Sequence, residues 1–228
     1  MFNYILLVAL ALFPSIFWLI VVRFIDKENP EPIKEIIKIF IWGMIIAFPT
    51  FILVQGIKFF SEKITPHPLL YILILSFLID GLIEEFAKYA VVRDKIYEKE
   101  VFNEPLDGFV YGVTCAMGFA FVENFLYLLF SKPELIIIRF TTPTLMHALA
   151  TGIVGYHLGM AKFRQVSVNK KRLYIFTGLL LAIIFHGLYN SVIRYNLFWP
   201  AIPLTILIII VYIYLLRGLR KISKEKLT

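Results

Sequence analysis

Three glutamates, two histidines and an asparagine are the residues of this sequence best suited to act on a bound substrate. Glu84 and Glu85 lie in Asp80-Gly81-Leu82-Ile83-Glu84-Glu85-Phe86-Ala87-Lys88, Glu123 precedes Asn124, His147 stands alone, and His186 and Asn190 close the set in His186-Gly187-Leu188-Tyr189-Asn190. Carboxylate with imidazole is what activation of water requires: a base to take the proton, and a donor to stabilise the developing oxyanion. Two histidines and one glutamate, here Glu84, His147 and His186, are also a catalytic zinc set that leaves a position open for water. The ligand types fit both schemes, and the metal-free one is the expectation. No H-E-x-x-H or G-x-S-x-G occurs, and Cys115 sits in an apolar run, so serine and cysteine nucleophiles have no support.

These residues stand out because of where they lie. Hydrophobic residues make up 60% of the 228 and charged ones only 17%. Apolar runs of membrane-spanning length recur with short polar breaks, which describes a polytopic helical bundle with no room for a sizeable soluble domain. An ionisable residue near the middle of a span costs about 2.5–3.5 kcal/mol on insertion scales, so intramembrane charges mark functional sites by default. At 100° per residue Asp80, Glu84 and Lys88 form one stripe, with Glu84 and Lys88 an i,i+4 pair and Glu85 beside them. One lysine balances one carboxylate, so the remaining charge must find protons or partners on other helices.

Seven spans are expected, at about 4–22, 39–57, 69–92, 107–130, 141–161, 173–194 and 200–216. The connections after spans one, three, five and seven hold 17 Lys and Arg residues and the other connections hold five, which puts the N-terminus outside and the C-terminus in the cytoplasm. That bias also accounts for the net charge of +7 without nucleic acid. The N-terminus lacks a positive leader and reads as a retained helix. The whole of 1–228 reads as one integral domain with its core at about 69–194. Gly108 and Gly112, and Gly152, Gly155 and Gly159, supply the small-residue spacing that lets helices approach closely. Spans three to six would bring the polar residues to one pocket. Because Glu123 and His147 fall nearer the outside than Glu84, that pocket should be a water-filled cavity open outward. His157 reads as a satisfied hydrogen-bonding residue, Arg139 as an interface anchor, and Asp80 and Asp107 as helix-end or interhelical hydrogen-bonding groups.

The ordered set E-E-F-A-K (84–88), D-G-F-V-Y-G (107–112) through G-F-A-F-V-E-N-F-L-Y (118–127), R-F-T-T-P-T-L-M-H (139–147) and H-G-L-Y-N (186–190) resembles the PrsW family of bacterial membrane proteases, within the superfamily of CAAX prenyl endopeptidases and bacteriocin-processing enzymes. The resemblance covers residues 80 to 190. It implies an intramembrane endopeptidase of the bacterial cell membrane that cuts a single-span protein near its extracytoplasmic side, such as an anti-sigma factor in stress signalling. By motif, Glu84 and Glu85 are the paired glutamates, with Glu84 preferred as general base; Glu123 and His147 belong to the second and third motifs. His186 with Asn190 forms the fourth, associated with oxyanion stabilisation. Lys88 stands one residue before the arginine of CAAX-type enzymes, and Glu123 stands where they carry histidine. Two other classes compete: a proton- or ion-coupled transporter, whose relays also use buried Glu and His, and a non-catalytic scaffold packing through its glycines.

Overall fold

The computed structural model describes residues 4–61, 67–130 and 142–195, together with Ile136, Arg139 and isolated positions between 203 and 217. Its elements are α1 (Tyr4–Ile25), α2 (Ile33–Ser61), α3 (Pro68–Leu73), a π-helical segment (Ile74–Gly81), α4 (Leu82–Lys95), α5 (Pro105–Phe130), α6 (Pro143–Phe163) and α7 (Val168–Arg194). Among the described residues there is no strand, and α3, the π-helical segment and α4 run on as one helix. Helices thus overlie each of the first six expected spans. Four of those described, α1, α2, α5 and α7, are long and apolar enough to cross a membrane. The expected seventh span, 200–216, lies largely outside the described residues.

Local sequence explains where the helices start and which face they bury. Three begin on a proline, Pro68, Pro105 and Pro143, whose fixed φ suits the first helical position and whose missing N–H would be unpaired there. In α2 the buried positions Ile39, Gly43, Ala47, Thr50 and Val54 recur every three or four residues, so one stripe faces the bundle and Phe48, Ile52 and Phe59 face outward. By contrast α5 is apolar all round, and every residue from Pro105 to Ala120 is buried. A helix of that kind belongs at the centre. It packs most extensively on α6, then on α2 and α1.

The α5–α6 contact is made by backbone. A Cβ at Gly155 would lie 2.0 Å from the carbonyl oxygen of Gly108, and one at Gly159 would lie 2.1 Å from that of Pro105. Only hydrogen fits between the two chains there, which is what the small-residue spacing foretold. Proline within α1 is accommodated as well: Ser15, next to Pro14, donates to the Met117 carbonyl at 2.9 Å and ties α1 to α5.

Candidate active site

Glu84, Glu85 and Lys88 occupy the first two turns of α4, just past the π-helical segment. Glu123 lies seven residues before the end of α5, His147 four residues into α6, and His186 eight residues before the end of α7. At about 1.5 Å per residue these last three sit roughly 6–12 Å inside one end of the bundle. All six expected residues converge there. Glu84, Glu123, His147, His186 and Asn190 line one cavity of about 300 Å³, and Glu85 lies behind it.

The two neighbouring glutamates have different surroundings. Glu85 is saturated: its Oε1 accepts from Lys88 Nζ at 2.7 Å and from His186 Nδ1 at 2.8 Å, and its Oε2 accepts from Thr151 Oγ1 at 2.8 Å. Glu84 is not. Its Oε2 is buried without a hydrogen-bond partner, 3.7 Å from Lys88 Nζ and 3.9 Å from His186 Nε2. The sequence favoured Glu84 as the partner of Lys88, yet the closer pair is Glu85–Lys88, at i,i+3.

Donor and acceptor chemistry orients the imidazoles. An ammonium only donates, so the 3.0 Å contact between Lys88 Nζ and His147 Nδ1 makes that nitrogen the acceptor and leaves the ring proton on Nε2. From there it is donated to Glu123 Oε2 at 2.8 Å. His186 donates from Nδ1 to Glu85, and its Nε2 is turned towards Glu84. Each histidine is thus held by a carboxylate on one nitrogen, the arrangement that fixes ring orientation at metal and acid–base sites. The two rings meet edge to face at 5.1 Å, and the ammonium of Lys88 lies over Phe119 at 4.4 Å.

Arg139 is not only an interface anchor. It donates to Glu123 Oε2 at 3.2 Å and to Asn124 Oδ1 at 2.7 Å, while Asn124 donates to Thr144. Among the described residues three carboxylates, Glu84, Glu85 and Glu123, therefore share two cations, Lys88 and Arg139. The unbalanced negative charge falls on Glu84. Glu84, His147 and His186 each offer a ligand atom, all within 4.8 Å of one another. The donor set fits a divalent ion of the zinc type, with the orphaned Glu84 Oε2 and the free His186 Nε2 facing the same space. At His147 a metal on Nδ1 would displace the ammonium of Lys88.

Other expected residues lie elsewhere. His157 Nδ1 pairs with the Ile153 carbonyl at 2.8 Å within its own helix, a satisfied histidine as expected. Asp107 accepts from the Asn103 and Glu104 amides at the start of α5. Tyr111, within the D-G-F-V-Y-G motif, donates to Glu31 in the α1–α2 connection. Asp80, by contrast, lines the same cavity as Glu84 and pairs with Lys58, Asn190 and Arg194. Thr151 was not foreseen, since a helical threonine beside a glycine carries no signal of its own.

A model of the family described as "PrsW family intramembrane metalloprotease" matches residues 31–216. Protease PrsW of Geobacillus kaustophilus is 35% identical over 165 residues, covering 72% of this chain and 69% of its own. Protease PrsW of Shouchella clausii is 29% identical over 214 residues, covering 92% and 95%, and that of Bacillus subtilis is 29% identical over 202, covering 88% and 87%. No solved structure matches. The metalloprotease description runs against the metal-free expectation and agrees with the donor set of Glu84, His147 and His186. The match spans more than half of the chain and includes every polar residue of the cavity floor, and the chain belongs to the PrsW family of intramembrane metalloproteases.

Proposed function

We propose that this protein hydrolyses a peptide bond of a single-span membrane protein inside the cavity, with Glu84 as the group that takes the proton from water. The observation that carries this reading is the contrast between the two glutamates. Glu85 already accepts from three donors and holds His186 and Lys88 in place, whereas Glu84 has a free carboxylate oxygen on the cavity wall. As water adds to the peptide carbonyl its proton passes to Glu84, the carbonyl π electrons become an oxyanion, and the C–N bond breaks as the proton is handed to the leaving amine. His186 Nε2, once the ring has taken a second proton, and the second amide hydrogen of Asn190 would be the donors to that oxyanion. Glu123 and Glu85 act through the histidines, as positioning residues.

A zinc ion held by Glu84, His147 and His186 would supply Lewis acidity to the water and carbonyl and would lower the pKa of the bound water. Glu84 would then be a ligand in place of a free base.

The lysine and arginine bias supports an outward-facing N-terminus, seven spans and a multi-pass place in the bacterial cell membrane. On that topology the cavity opens extracytoplasmically, where the ends of α2, α5 and α7 lie. An anti-sigma factor is the proposed substrate, and 1–228 is one integral domain. Buried carboxylates serve hydrolysis here in place of the ion coupling or scaffolding considered from the sequence, since the named relatives are proteases.

The test is cleavage of a co-reconstituted single-span anti-sigma-like reporter by wild type and Glu84→Gln, each with and without a strong chelator. Wild type should cleave and the variant should lose at least about 100-fold. Full activity in Glu84→Gln sinks the reading. Loss on chelation that zinc restores puts Glu84 among the ligands.

A further inference from the structure

The cavity has a second polar cluster that the hydrolytic chemistry leaves unused. Asp80, buried at the end of the π-helical segment, is met by Lys58 from the last turn of α2, with Nζ 3.0 Å from Oδ1. Arg194, which ends α7, donates to Asp80 Oδ2 and, at 2.7 Å, to Ser76 Oγ. Asn190 Nδ2 adds a bond to the same carboxylate at 3.1 Å. Among the described residues two cations thus converge on one carboxylate, leaving one positive charge unbalanced. Lys58 and Arg194 keep 24% of their side-chain surface exposed against 4% for Asp80, and both line the cavity, so the excess charge is displayed to whatever occupies it. On the facing wall the charge of Arg139 is taken up by Glu123.

Long cationic side chains at the ends of spanning helices ordinarily reach outward to lipid headgroups. These two turn inward. A single cation would have neutralised Asp80, so the second serves something else. We propose that Lys58 and Arg194 form a specificity subsite for an acidic side chain, Asp or Glu, in the peptide segment bound in the cavity. Asp80 holds the two cations in position between substrates. Asp80 and Glu84 are one turn apart, about 6 Å, and an extended peptide advances about 3.3 Å per residue, so the acidic residue lies about two positions from the scissile bond. This placement rests on Glu84 as the group at the reacting carbonyl.

The test uses a single-span reporter whose cavity segment is neutral, with one Glu, or Gln as control, walked through it. Enzyme and reporter are reconstituted in vesicles of phosphatidylcholine alone or with phosphatidylglycerol. At one position Glu should raise kcat/KM about tenfold over Gln, mostly through KM, as expected of a charge-assisted contact. Lys58→Gln with Arg194→Gln should bring the Glu/Gln ratio to within about twofold of one, and Asp80→Asn, which frees both cations, should increase it. Binding of the same reporters to Glu84→Gln enzyme, followed by fluorescence anisotropy, should show the same preference without turnover.

Equal cleavage of all reporters overturns the subsite and leaves the hydrolytic reading standing. A preference that survives the double substitution also overturns it, as does a ratio that follows the phosphatidylglycerol content, because the cations then face headgroups. An enzyme that cleaves no reporter, neutral ones included, counts against the hydrolytic reading itself and takes the subsite with it.

Discussion

Replacing Gly155 by alanine tests whether the α5–α6 backbone contact sets the geometry of the floor. The added Cβ would lie 2.0 Å from the Gly108 carbonyl oxygen, 2.7 Å from its carbon and 3.1 Å from the Phe109 Cα, all backbone atoms that cannot swing aside. Real Cβ atoms essentially never approach closer than 3.0 Å, so the helices must part by at least about 1 Å. Thr151, which donates to Glu85, is one turn away on α6, and His147 is two. A displacement of about 1 Å at a catalytic constellation costs on the order of 100-fold in rate, and overpacking of a tight interface costs about 1–3 kcal/mol. Gly155→Ala should therefore lower kcat on the reporter by about 100-fold and reduce the unfolding temperature in detergent. Gly56→Ala is the control, since a Cβ there meets nothing within 4 Å. Activity within threefold of wild type for Gly155→Ala would refute the argument that this contact holds the site.

Glu85→Gln removes the charge that holds both Lys88 and His186, and breaking a buried ion pair costs about 3–5 kcal/mol; thermal unfolding and cleavage should both suffer, and a stable, active variant would show that Glu85 is dispensable. Thr151→Val keeps the shape of the side chain and deletes one donor to Glu85, so its loss should be smaller, about 1–3 kcal/mol in the same unfolding assay. At the opposite end of the bundle, burial pushes the Asp26 carboxyl up to about 7, against the opposing hydrogen bond from the Glu31 amide, with the negative charges of Asp107 and Glu104 adding to the rise. The folded protein then keeps a proton that the unfolded chain has lost above its ordinary value of 3.8, so stability falls as pH rises from about 4 to about 7 and levels off above. Glu31 is shifted upward too, chiefly by burial, and works in the same direction. Unfolding temperatures at pH 5, 6 and 7 should decline for wild type and less steeply for Asp26→Asn; identical slopes would remove Asp26 from the effect.

Much of the site was legible because charge is expensive inside a membrane and so advertises itself. Glu84, Glu85, Lys88, Glu123, His147 and His186 stood out from apolar surroundings on four segments; Glu84, Glu123, His147 and His186 line one cavity, and Glu85 with Lys88 is buried behind it. The glycine pattern of Gly108, Gly112, Gly155 and Gly159 foretold close helix approach, because a missing side chain in an apolar helix has few other uses, and the structure shows that the fourth and fifth spans are the pair that meets there. The rest was hidden for definite reasons. Lys58 and Arg194 lie at helix ends, where cations are usual, and the lysine and arginine count absorbed them as topology signals. Thr151 and Tyr111 are polar groups that helices tolerate anywhere. The π-helical turn Ile74–Gly81 was hidden because a count of 100° per residue presumes α-helix throughout.

That turn has a consequence for how this helix can change. A π-helical turn takes in about one residue more than an α-helical turn, so Ile74–Gly81 acts as a phase joint in an otherwise continuous rod. Deleting a single residue on the Ser76 side of Asp80 would let the rod close into plain α-helix. Because the wider turn already absorbs the extra residue, the helix before the joint would keep nearly its present phase against α4, and the change would fall on residues of the turn itself, moving Ser76 relative to Arg194 while Glu84 and Glu85 kept their places. The length of one turn, with no polar side chain altered, can thus retune the rim of the cavity independently of its floor, which gives a lineage a way to change what is admitted without disturbing what is done to it.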